Sequence, residues 1–103
     1  MLIVNTTYQI SEQYESEWKH WVLNEYAPEV IESGILCNPV LLRLLIENEP
    51  GSVSYALQFE VENLDTLEAW FEQYGKVLQQ TLQNRFEDKV MGFTTLMEKI
   101  ERK

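Results

Sequence analysis

An α+β fold built on one antiparallel sheet is predicted by three features of this sequence. Residues 40–61 read as a hairpin of two apolar strands around a Pro50-Gly51 turn. Alternating strand-like segments open and close the chain at 2–10 and 90–97, and two segments of helical periodicity separate them from the hairpin. The order strand, helix, strand, strand, helix, strand folds most simply into a four-stranded antiparallel sheet with both helices on one face, the ferredoxin-like βαββαβ arrangement.

In the first strand Leu2, Val4, Thr6 and Tyr8 share one face, and Ile3, Asn5, Thr7 and Gln9 the other. Ser11 is placed to cap a helix whose first turn carries Glu12 and Glu15, where acids favour the positive end of the dipole. Tyr14, Trp18, Trp21 and Val22 recur at helical spacing, leaving Glu17, His20 and Asn24 to solvent. Pro28 has no N–H to continue the ladder, so the helix should kink or restart near Ala27 and lead through a short turn to Gly34. A tight connection through Asn48-Glu49-Pro50-Gly51 would pair residues of opposite parity. Val40, Leu42, Leu44 and Ile46 would then lie beside Phe59, Leu57, Tyr55 and Val53 on the oily face, with Leu41, Arg43 and Leu45 on the other beside Ser54, Ala56 and Gln58. After Val61, Asn63 or Asp65 can cap a second helix through Leu64, Leu67, Phe71, Tyr74, Leu78, Leu82 and Phe86, continuous or jointed at Gly75. Val90 to Met97 returns as the last strand, and the charged tail beyond it frays.

At 103 residues, with no linker and no repeat, residues 1–103 form a single domain that buries roughly 65% of its unfolded surface. Seventeen acidic residues against eight basic ones give a net charge of -9, which repels phosphate backbones and anionic membranes. Nucleic acid and membrane are therefore excluded as expected partners. With no signal-peptide pattern, a cytoplasmic location is expected. Ile3, Leu41 and Leu45 would leave the second sheet face too apolar for water, and a second copy related by a two-fold axis is its simplest cover, so a homodimer is expected.

Residues that carry catalysis are scarce. His20, the only histidine, sits on a solvated stripe, and Cys37, the only cysteine, has no metal-site spacing around it. Acid pairs such as Glu29 with Glu32 or Glu47 with Glu49 lack the histidines a transition metal recruits, and four scattered glycines make no phosphate loop. No catalytic residue, metal site or cofactor is assigned. The sharper candidate is a polar trio on the second sheet face, Asn5, Arg43 and Gln58: a buried guanidinium needs an anion, supplied by the partner chain or by the carboxylate of a small-molecule ligand.

Glu17-Trp18 through Pro28-Glu29-Val30, Leu42-Arg43-Leu44-Leu45, Tyr55-Ala56-Leu57-Gln58-Phe59, Arg85-Phe86 and Phe93-Thr94-Thr95-Leu96 together resemble a family of short, uncharacterised bacterial proteins. That family is similar to the dimeric α/β-barrel superfamily, whose members pair two ferredoxin-like sheets around a small cavity. The sequence departs from the family's pattern twice: Tyr26 stands where a histidine is usual, and Thr94 where an arginine is usual, so an activity resting on those positions would be lost or altered here. Haem-degrading members of the superfamily use a first-strand asparagine, a tryptophan and a haem-ligating histidine. Asn5 and Trp70 could fill the first two roles, but residues 64–86 hold no histidine for the third. Two functions are therefore expected to compete: a non-catalytic dimeric module for a small acidic or aromatic molecule, and a cofactor-independent enzyme, monooxygenase-like or isomerase-like, acting on a small aromatic or carbonyl substrate. The shortage of groups able to transfer a proton favours the first.

Overall fold

The computed structural model describes residues 1–45 and 49–101. Four strands, β1 (Leu2–Ser11), β2 (Cys37–Arg43), β3 (Ser52–Val61) and β4 (Val90–Glu98), form one antiparallel sheet in the order β2-β3-β1-β4. The helices lie on one face, as the element order requires, so the fold is ferredoxin-like. Ile46, expected on the oily face, and Asn48, the first residue of the expected hairpin connection, lie outside the described residues, as does Glu47 between them.

The two helical arms share a construction. The first runs through α1 (Glu15–Trp21), a π turn at Val22–Tyr26 and α2 (Ala27–Ile31); the second through α3 (Leu64–Trp70), a π turn at Phe71–Gly75 and α4 (Lys76–Phe86). Each π turn closes with an N–H reaching back five residues, Ala27 to Val22 in the first arm and Lys76 to Phe71 in the second. In the first arm the wide turn lies just upstream of Pro28, where a regular turn would set the ring against the preceding carbonyls. The arm restarts at Ala27 as expected and runs on to Ile31, and Gly34 beyond it takes a positive φ of 80°. In the second arm Asn63 is the cap, its side chain accepting from Thr66 N–H at 2.9 Å. Gly75 stays helical there, and a Cβ on it would come within 2.7 Å of the Phe71 and Trp70 rings.

Trp18 anchors the core. It is fully buried between Tyr8 and Tyr55, with ring centroids 5.2 Å and 5.4 Å away. Trp21 packs on Tyr26 and Phe86, joining the ends of both arms. On β1 the even residues face the helices, as their alternation predicts, and β3 meets them with Val53, Tyr55, Leu57, Phe59 and Val61.

Strand β2 corrects the expected register by one residue. Val40 pairs with Gln58, Leu41 with Leu57, Leu42 with Ala56 and Arg43 with Tyr55. Leu41 therefore packs on the core, while Val40 and Leu42 lie on the open face, the reverse of the expectation. The cause is a bulge between Cys37 and Val40, where Asn38 takes a left-handed φ of 52° and Pro39 occupies an edge strand that needs no N–H from it. One extra residue exchanges the faces of everything downstream. Leu45, expected on the open face, lies past the end of β2 and is 91% exposed.

Candidate functional site

The expected trio does not assemble. Asn5 and Gln58 are cross-strand partners on the open face, Gln58 Nε2 donating to Asn5 Oδ1 at 3.1 Å. Arg43 is on the opposite face, with Nη1 4.0 Å from Glu15 Oε2 and its side chain 56% exposed. The same carboxylate accepts from the Tyr55 hydroxyl at 2.6 Å. The anion that Arg43 was expected to need thus comes from its own chain, in a place open enough that the pair contributes little. His20 is on the solvent side as expected, with Asn24 donating to its carbonyl oxygen at 2.8 Å. Cys37 has its thiol directed at the Glu60 carbonyl, 3.7 Å away. Asn5 and Trp70 lie on opposite sides of the sheet, so the pair that a haem-degrading site would need is not formed.

The main concavity is a cleft of about 1530 Å³ between the helix-bearing face of the sheet and the second arm. Its floor is the even-numbered face of β1 together with Gly92, Thr94 and Leu96 of β4; Trp70, Phe71 and Leu82 form the wall; Tyr26 and Val30 close one end. Two glycines shape it. At Gly92 a Cβ would stand 2.8 Å from the Tyr8 ring, so glycine lets that ring lean across onto β4. Gly75 likewise leaves room for the Trp70 and Phe71 rings against the second arm.

A row of four hydroxyl groups crosses this otherwise apolar floor. Tyr26, Tyr8, Thr6 and Thr94 all line the cleft, and Thr6 Oγ1 lies 3.0 Å from Thr94 Oγ1. Burial, above all, pushes both phenols above their ordinary pKa, so near neutral pH they are protonated hydrogen-bonding groups and not bases. The ends of the row are Tyr26 and Thr94, the two positions at which the sequence departs from the pattern it resembles. Sequence reasoning placed Thr6 and Tyr8 on one face of the first strand and gave them no role. The available signal was a pair of hydroxyls at alternate positions on the face that should have been purely apolar.

The charged side chains that line the cleft are all acidic. Glu68, Glu72, Glu87 and Asp88 line it, with no lysine or arginine among the lining residues. Glu72 is paired with Lys76 at 2.8 Å, and Asp88 with Lys89 at 3.5 Å. Glu87, where α4 ends, holds the strained combination of φ 51° and ψ -128° at the rim. Among the described residues no three His, Cys, Asp or Glu side chains converge as a metal site, and no helix is long and apolar enough to cross a membrane.

Solved structures with this architecture are distant in sequence. HapK from Hahella chejuensis superposes with a TM-score of 0.73 at 13% identity, covering 100% of this chain and 96% of its own. A putative antibiotic biosynthesis monooxygenase from Deinococcus radiodurans gives 0.71 at 14% identity, covering 99% and 95%. A dimeric ferredoxin-like protein from an uncultured marine organism gives 0.59 at 15% identity, covering 99% and 100%. At such identities the likeness establishes the fold alone. No curated protein matches the sequence. A family model described as a domain of unknown function, DUF4286, matches residues 1–100, and the chain belongs to that family.

Proposed function

We propose that this protein is a non-catalytic homodimeric module that holds a small, uncharged aromatic molecule in the cleft of each protomer. The observation that carries this reading is the hydroxyl row Tyr26, Tyr8, Thr6, Thr94 on a floor otherwise made of aliphatic and aromatic surface. An apolar cleft with a few convergent polar groups orients a flat ligand by its polar edge and holds it by its rings. An acidic ligand is disfavoured, because the lining supplies carboxylates without a cation and Arg43 is already beside Glu15. The competing enzyme reading needs a group that exchanges a proton near neutral pH, and the buried phenols are tuned away from it.

Dimerisation is argued from the open sheet face. Val40, Leu42, Ala56, Met91, Phe93 and Met97 stand on it around the Asn5–Gln58 pair, and Met91 and Phe93 are 67% and 65% exposed. With Arg43 removed by the bulge, Glu60 is the one charged side chain on the paired positions of that face, at a corner where Asn38 and Lys99 reach it. Two copies of a chain of net charge -9 repel through most orientations; face to face on this surface they bring few charges together. That one structural neighbour is described as dimeric supports the same pairing.

The test uses 2-naphthol as probe and tryptophan fluorescence as readout, since Trp70 borders the cleft. Naphthol should quench saturably, and 2-naphthoate should bind more weakly. Thr94→Val and Tyr26→Phe should each weaken naphthol binding by up to about tenfold, the equivalent of one hydrogen bond. Binding indifferent to both substitutions, or absent for wild type, would overturn the reading.

A further inference from the structure

Strand β4 is the outer floor of the cleft, and it is poorly supported. After Val90 every residue of it is exposed, and its only strand neighbour is β1. The alternation of its side chains divides them between two roles. Gly92, Thr94 and Leu96 share the parity of Thr6 and Tyr8 and face the cleft, while Met91, Phe93, Thr95 and Met97 share the parity of Asn5 and face away, onto the open side of the sheet.

We propose that a second copy of this chain completes the ligand cleft from behind, by seating against Met91, Phe93 and Met97 and so fixing the strand that presents Thr94 and Leu96 to the ligand. The inference rests on the cleft and the pairing argued above and adds that the two are linked. An edge strand paired on one side only and exposed along its length after Val90 has low local stability and opens readily. Whichever event comes first, docking or ligand binding, orders β4, and the second then no longer bears that cost; the result is positive cooperativity without contact between ligand and partner. Linkage makes the effect reciprocal: the factor by which the dimer improves ligand affinity is the factor by which ligand tightens the dimer. A second copy is the occupant the face fits, because the patch is continuous with Val40 and Leu42 across the sheet and its one charged side chain, Glu60, is already engaged at a corner.

Leu42→Glu provides the test. Leu42 is on β2, at the far edge from β4, is already 45% exposed, and does not line the cleft. By sedimentation velocity the variant should be a folded monomer where wild type is a dimer, and it should bind 2-naphthol about tenfold more weakly. In wild type, saturating naphthol should lower the dimer dissociation constant by a similar factor. A folded Leu42→Glu monomer that binds naphthol as tightly as wild type would overturn the linkage and leave the cleft intact, as would a wild-type dimer constant that naphthol does not move. Wild type that binds no naphthol in any state would overturn the cleft and the linkage together. Should the variant not fold, serial dilution of wild type through its own dissociation range replaces it, with affinity for naphthol expected to fall as monomer accumulates.

Discussion

The two helical arms are alike in plan and opposite in use. Each is a helix, a π turn and a second helix laid on the same sheet face, yet the first buries Trp18, Trp21, Val22, Ala27 and Val30 against the strands. The second buries Trp70, Leu78 and Phe86, and leaves Leu64, Phe71, Tyr74 and Val77 substantially exposed. The difference follows from the side chains between arm and sheet. Under the first arm, two tilted aromatic contacts fill the space around Trp18; under the second, hydroxyls and glycines meet a wall of rings, and the space stays open. One half of the molecule carries stability, and the other trades some of it for a cavity.

Four tests would sharpen or break that contrast. Trp18→Ala should cost about 3–5 kcal/mol in urea unfolding, because it empties the centre of the first arm, whereas Leu82→Ala on the cleft wall should cost about 1 kcal/mol. Similar losses at the two sites would mean that the second arm is packed as tightly as the first. Raising the pH probes the cleft floor. Tyr8 and Tyr26 have folded pKa values above the unfolded value of about 10, so their contribution is complete below that pH and is lost as pH rises toward the folded values. Each phenol should add a slope of up to about 1.4 kcal/mol per pH unit in that alkaline window, followed by circular dichroism, and Tyr26→Phe should flatten the curve. Gly75→Ala gains helix propensity but pushes a methyl into the Trp70 and Phe71 rings, so a net loss of about 1 kcal/mol with an altered tryptophan emission maximum is expected. His20→Ala should change stability by no more than about 0.5 kcal/mol, since it removes only surface contacts with Asn24.

What was legible in the sequence was whatever periodicity carries. Element order, the Asn63 cap of the second arm, the restart before Pro28, the strand faces of β1 and β3 and the outward side of His20 all follow from spacing and capping chemistry, whereas Ser11 makes no side-chain cap bond and a 3-10 turn at Glu12–Tyr14 precedes α1. The cleft was not legible, because Tyr8, Trp70 and Phe71 look the same in a pattern whether their arm rests on the sheet or stands away from it. Asn5 and Gln58 were placed on the right face and Arg43 on the wrong one, for a reason that alternation alone does not register: Asn38-Pro39 reads as a turn signal, and it acts within a strand as a bulge.

That bulge gives a single codon unusual leverage. Loss of the three nucleotides encoding Asn38 would leave composition, periodicity and length almost untouched, yet from Val40 onward the edge strand would present its other side. Arg43 would leave Glu15 for the open face of the sheet, while Leu42 withdrew toward the helices. On the pairing proposed above, an in-frame deletion at the edge of the sheet would be a direct mutational route from a self-pairing chain to a solitary one.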